Sequence, residues 1–172
     1  MRSLRWFSVL SLVVLLASGV RAQEPAKPGP EHEVLKKYVG TWDTTMKFGD
    51  MSFKGTATYK MDLGGLWLHS AIESDLFGMK FSGRGYDSYD PAKKKYVAIW
   101  VDSMAPHPVL MEGTYDKEKK TMTMIGEGPG QDGKPAKMKS VSEMPDNDTI
   151  NMSMFAGDAK EPMFTVTYKR KK

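Results

Sequence analysis

The sequence predicts an all-β fold, an up-and-down meander of roughly ten strands closed into a barrel and preceded by one short helix. Three observations lead there. Apolar, β-branched, aromatic and methionine residues alternate with polar ones along ten runs. Turn residues punctuate those runs at intervals of roughly a dozen residues. The connections are too short for anything but neighbour-to-neighbour pairing, and a long twisted meander closes because closure removes both exposed edges.

The elements follow in order. Residues 23–30 (QEPAKPGP) are proline-rich and lack apolar periodicity, so they read as a flexible, partly extended leader. Glu31 to Tyr38 reads as a helix, with acids in its first turn and lysines near its end, as the helix dipole favours. Strands are expected over 39–48, 53–62, three runs within 64–104, then 109–116, 120–127, 136–144, 149–155 and 162–170. The whole of 31–172 reads as a single barrel domain.

The stretch from Gly64 to Met104 fixes the register. Phe77-Gly78 suits a two-residue hairpin turn, and Asp90-Pro91 opens a type I turn. Pairing Leu76 with Met79 puts Leu66, Leu68, Ser70 and Ile72 on one face with Phe81, Gly83, Gly85 and Asp87. Carried through the second turn, this register pairs Asp87 with Tyr96, Gly85 with Ala98, Gly83 with Trp100 and Phe81 with Asp102. A glycine beneath an indole marks a close approach in a narrow interior. Val97, Ile99 and Val101 then point outward as an apolar stripe near Trp67 and His69. The helix offers Val34 and Leu35, too little to cover that stripe, so a homodimer is the expected cover.

Composition sets the compartment and excludes several classes. Arg2 and Arg5, the apolar run from Trp6 to Val20 and the Val20-Arg21-Ala22 site form a secretory signal peptide over 1–22, shorter than a membrane span needs. Cleavage after Ala22 leaves 150 residues, one domain with no membrane span, in an extracytoplasmic setting, periplasmic or secreted. Without cysteine, neither a disulfide nor a lipid-modified cysteine is available. The leader carries three of the 25 basic residues, leaving 22 against 21 acidic ones. So even a balance does not suit nucleic acid, and the basic Lys169-Arg170-Lys171-Lys172 end reads as a solvated tail.

The candidate chemical groups are few. His32, His69 and His107 form no metal-binding spacing and read as solvent-exposed, and no nucleotide-binding or nucleophile motif occurs, so no cofactor is expected. Methionine is abundant, 14 in all, and Met122-x-Met124 and Met152-x-Met154 each set two thioethers on one strand face. Such pairs serve as soft copper ligands or, more simply, as core filler and apolar lining. Asp102 points inward beside Phe81 and Trp100, with Glu112 on the next strand. Two classes therefore stay open. One is a barrel that binds a small apolar ligand among Tyr59, Phe81, Trp100, Met152 and Met154, with Asp102 orienting a polar end. The other is a hydrolase or isomerase with Asp102 and Glu112 as acid and base.

Gly64-Gly65-x-Trp67-Leu68, Phe81-x-Gly83-x-Gly85, Trp100-x-Asp102-Ser103-Met104, Glu112-Gly113-x-Tyr115-Asp116 and Gly133-Lys134-Pro135 together resemble a widespread bacterial family known only as a domain of unknown function. That resemblance spans nearly all of the chain after the leader and implies a fold without implying a reaction. Gly40-Thr41-Trp42, between the helix and the first strand, is similar to the Gly-x-Trp signature of lipocalin-like (calycin) barrels. The likeness implies that a basic residue late in the last strand, here Arg170, covers the indole of Trp42 and closes the barrel. It also implies an interior that holds a small apolar ligand.

Overall fold

Each hairpin turn is set by a local device. Phe77 and Gly78 both take positive φ (53° and 79°), the two-residue turn whose twist matches its strands. Asp90 Oδ1 accepts from the Ala92 and Lys93 amides, and Asp116 Oδ1 likewise from those of Glu118 and Lys119. In both turns a lysine, Lys94 or Lys120, then enters the left-handed region (φ 53° and 51°) before the next strand begins. These turns join ten antiparallel strands in a computed structural model that describes residues 24–129 and 134–172. The expected signal peptide over 1–22, Gln23 and Gly133 lie outside the described residues.

Helix α1 (His32–Lys36) leads into β1 (Gly40–Phe48), β2 (Met51–Asp62), β3 (Trp67–Leu76), β4 (Met79–Asp90) and β5 (Lys95–Asp102). Then follow β6 (Ala105–Asp116), β7 (Thr121–Pro129), β8 (Pro135–Asp146), β9 (Thr149–Ala156) and β10 (Phe164–Arg170). Every strand pairs with its sequence neighbour, and β10 pairs with β1, so the sheet is a closed barrel. Residues 24–29 have no regular structure, and a turn of 3-10 helix (Leu63–Gly65) links β2 to β3.

The register differs from the sequence expectation at one turn. Leu76 pairs with Met79 as expected, but β4 meets β5 two residues further on: Asp87 opposite Ala98, Gly85 opposite Trp100 and Gly83 opposite Asp102. A type I turn closed after two residues would splay its strands, so the loop takes four, ending in left-handed Lys94. An even shift leaves every side chain on its expected face. The Trp100 ring therefore still reaches Gly83, where an added Cβ would lie 2.2 Å from Cζ2. The loop expected over 103–108 is mostly strand, and His107 lies in β6. Between the Trp100–Val109 and Asp102–Ala105 pairs the ladder is irregular, so Pro106 and Pro108 sit where no regular ladder bond is required of them.

Closure is sealed by one contact. Trp42 is fully buried, and its Nε1 donates to the Tyr38 carbonyl at 2.9 Å. Arg170 is its register partner across β1 and β10, and the guanidinium carbon lies 4.0 Å from the indole ring centroid. The same guanidinium donates to the carbonyls of Val39 (2.6 Å), Lys37 (2.9 Å) and Asn147 (2.9 Å). Gly40 explains the Gly-x-Trp spacing: it takes φ 136°, and a Cβ there would sit 2.5 Å from Arg170 Nη1. Only glycine meets both conditions.

The helix closes one end of the barrel. Val34 and Leu35 are buried against Leu68, Tyr96, Met111, Met122 and Met124, and Tyr96 Oη donates to the Glu31 carbonyl at 3.0 Å. His32 is buried too, against the expectation of an exposed histidine. Its Nδ1 accepts from the Gly29 amide at 3.0 Å, while Nε2 has no partner. A second cluster gathers Trp42, Ala57, Met144, Ile150, Val166 and Tyr168, and Tyr38 and Tyr59 pack against both clusters. With the helix spent on the barrel end, no other described residue covers the outer stripe: Ile99, Val101, Leu110 and Ile125 are 41–57% exposed.

Arg170→Ala removes the cation–π contact and leaves three carbonyls without their donor. Urea unfolding is expected to show a loss of about 2–4 kcal/mol. A midpoint equal to the wild type would mean that closure does not depend on this side chain.

Candidate functional site

Alternation along ten strands turns a defined set of side chains inward. Ile72, Ala98, Trp100, Ser140, Met152 and Met154 all occupy inward register positions yet keep partial accessibility to water. The helix-side end holds the buried cluster around Val34, Leu35 and Leu68.

One charged group faces that interior without a partner. Asp87, on β4 between Leu68 of β3 and Ala98 of β5, points inward. Its side chain is only partly accessible to water. The carboxyl makes no hydrogen bond and no ion pair with any described residue. Desolvation alone pushes its pKa from 3.8 up to about 7, because the charged form has lost water and gained nothing in return.

Around Asp87 stand three tyrosines: Tyr38 after the helix, Tyr59 on β2 and Tyr168 on β10. Each feels its charge. Ring centroids lie 6.2 Å apart for Tyr38 and Tyr59 and 6.3 Å for Tyr59 and Tyr168. Tyr59 and Tyr168 lie close enough to act on each other electrostatically, as do Tyr38 and Ser142. Burial raises all three above the usual phenol range, Tyr168 to about 12, so they stay neutral. The sequence reading had placed Asp87 on the inner face without singling it out. Its signal was there: a carboxylate in register with leucine and alanine on an otherwise apolar face.

The residues that the sequence did single out are spread along the barrel. Tyr59 lies in the tyrosine cluster, with Met152 and Met154 on β9 in adjoining parts of the interior. Trp100, Phe81 and Asp102 lie further along the wall, outside both core clusters. Both oxygens of Asp102 are engaged: Oδ2 accepts from Trp100 Nε1 and Oδ1 from the Met104 amide, each at 2.8 Å. Glu112 points out of the wall, held by Lys93 and by Lys95 at 3.4 Å, and the Lys93 hydrogen bond lowers its pKa. Asp102 and Glu112 thus stand on opposite faces, and the acid–base pair expected from sequence is not assembled. Met122 and Met124 are buried in the helix-side core. His69 lies outside, its ring 4.9 Å from that of Tyr86. Among the described residues no three His, Cys, Asp or Glu side chains gather as a metal site, and no helix is long and apolar enough to cross a membrane.

A concavity of about 1100 Å³ also opens on the outer wall, over Trp67, Val97, Ile99, Leu110 and Ile125. Of its two carboxylates, Glu112 is held by lysines and Glu127 is exposed, so neither is an inward-facing charge comparable to Asp87.

Fold and site together define a closed ten-stranded barrel, stopped at one end by a helix, with a lone interior carboxyl beside an aromatic cluster. The chain belongs to the family described as protein of unknown function (DUF1579), whose pattern matches residues 27–170. Among solved structures it is similar to a redesigned beta barrel, with a TM-score of 0.45 and 15% identity over 81% of this chain and 96% of that one. No curated protein matches it.

The charge on Asp87 gives a signed pH dependence. Its folded pKa lies above its unfolded value, so the folded state holds this proton more tightly. The contribution to stability is therefore complete below about pH 4 and is lost as pH rises through about 7. Asp87→Asn should remove that decline and be more stable than the wild type by about 1–3 kcal/mol above neutrality, the amide being cheaper to bury than a carboxylate. Urea midpoints of both proteins from acid to mildly alkaline pH check this; parallel profiles would refute it.

Proposed function

We propose that this protein is an extracytoplasmic binding barrel whose interior takes up a small, mostly apolar molecule. The observation that carries this reading is the partial accessibility of inward-facing side chains such as Ile72, Trp100, Met152 and Met154 in a closed barrel. A core built only for stability packs such groups out of reach of water. Methionine lining supports it as well, since thioethers adapt to varied apolar shapes. The leader and the absence of cysteine support the compartment. Turnover by Asp102 and Glu112 has less support, because the wall separates them and Asp102 is committed to Trp100 and Met104.

Native mass spectrometry of the purified protein, followed by extraction of what it retains, tests the reading. An apolar small molecule at up to one per chain is expected. Its absence, together with no shift in melting temperature across a panel of apolar compounds, would overturn it.

The outer stripe supports pairing with a second copy about a two-fold axis. A closed barrel has no strand edge to extend, and the helix is already used at the barrel end. Sedimentation at micromolar concentration should show a dimer that Ile99→Lys converts to monomer. A wild type that sediments as a monomer removes this partner.

A further inference from the structure

The interior carboxyl selects the kind of molecule that fits. Of the inward register positions on the described strands, three carry charge: Asp87, Asp102 and Arg170. Asp102 is satisfied by Trp100 and Met104, and Arg170 by three carbonyls and the Trp42 ring. Asp87 alone has neither countercharge nor donor. The three tyrosines near it do not supply one, since none of their hydroxyls hydrogen-bonds the carboxyl and burial is all that acts on it. What they present instead is aromatic surface, with ring centroids 6.2 and 6.3 Å apart along the row.

A carboxylate turned into an apolar interior, with aromatic rings within reach of its charge, is complementary to an organic cation. The charge meets the carboxylate in a low-dielectric site, and the hydrogens on carbons next to nitrogen lie against electron-rich ring faces. The same carboxylate works against acids, since bringing a second carboxylate beside it forces one of the two to take up a proton. An alcohol lies between, able to donate one hydrogen bond but not to neutralise the charge.

We infer that the occupant of this barrel is an apolar amine, its ammonium group held by Asp87 against Tyr38, Tyr59 and Tyr168 and its hydrocarbon part lying along Met152 and Met154. This rests on the proposed interior binding and adds the chemical class of the ligand. A barrel of this kind would exclude fatty-acid anions of the same length and shape, although its lining is equally apolar toward both.

The test is a matched series of octylamine, octanol and octanoate, titrated calorimetrically into the wild type and Asp87→Asn near neutral pH, each kept below its aggregation threshold. In the wild type, octylamine should bind at least about tenfold more tightly than octanol, and octanoate most weakly, as a charge-assisted contact predicts. In Asp87→Asn the amine preference should vanish while octanol affinity changes by less than about threefold, since the apolar contacts remain. Equal binding of amine and alcohol by the wild type overturns the amine assignment and leaves interior binding standing. That comparison needs no variant to fold. An amine preference that persists in Asp87→Asn also overturns it and places the amine elsewhere, with the outer concavity beside Glu112 and Glu127 the first place to look. Failure of all three to bind overturns interior binding itself.

Discussion

The barrel depends on the stack of Arg170 on Trp42. A ten-stranded meander has two free edges until its last strand meets its first, and each edge is a row of unpaired amides and carbonyls. Arg170 does three jobs where they meet. It covers the indole, donates to the carbonyls of Lys37 and Val39 that lead from the helix into β1, and reaches the Asn147 carbonyl in the β8–β9 turn. Helix, first strand, last strand and a turn are thus gathered on one planar cation. Gly40 leaves room for it, and Trp42 ties the helix in again through the Tyr38 carbonyl.

That closure determines what the helix can do. A chain entering β1 beside Trp42 has its preceding segment directed across the barrel end, so Val34 and Leu35 enter the core there. Among the described residues, none covers the outer apolar stripe on β5, β6 and β7. The interior is stopped at one end, and its contents are shielded there from bulk water.

Inside, methionines and small residues line much of the wall. Gly83 accommodates the Trp100 ring, and Ser140 and Ser142 lie in register between Met124 and Met154 and between Met122 and Met152. Into that interior projects one unpaired carboxyl, that of Asp87, whose charge is expensive to keep, the kind of cost that persists where a group serves something other than stability. Asp102, by contrast, looks chemically promising in sequence and proves to be a strand-end brace, with one oxygen on the indole and the other on the following turn.

The sequence by itself determined the strand count, the meander order, the hairpin at Phe77-Gly78 and the face on which each residue of β3, β4 and β5 lies. These follow from local alternation and turn chemistry, which act over a few residues and tolerate an even slip in register. The two-residue shift between β4 and β5 escaped it because Asp90-Pro91 specifies a type I turn but not how many residues follow that turn. The burial of His32 escaped it for another reason: a five-residue helix carries no mark of whether it lies on the wall or stops the end. Tertiary structure alone decided that Asp102 and Glu112 stand on opposite sides of the wall and that Asp87 lies within electrostatic reach of Tyr38, Tyr59 and Tyr168. Those residues come from four separate elements, and only ring closure, which joins residues more than a hundred positions apart, sets the distances across the interior.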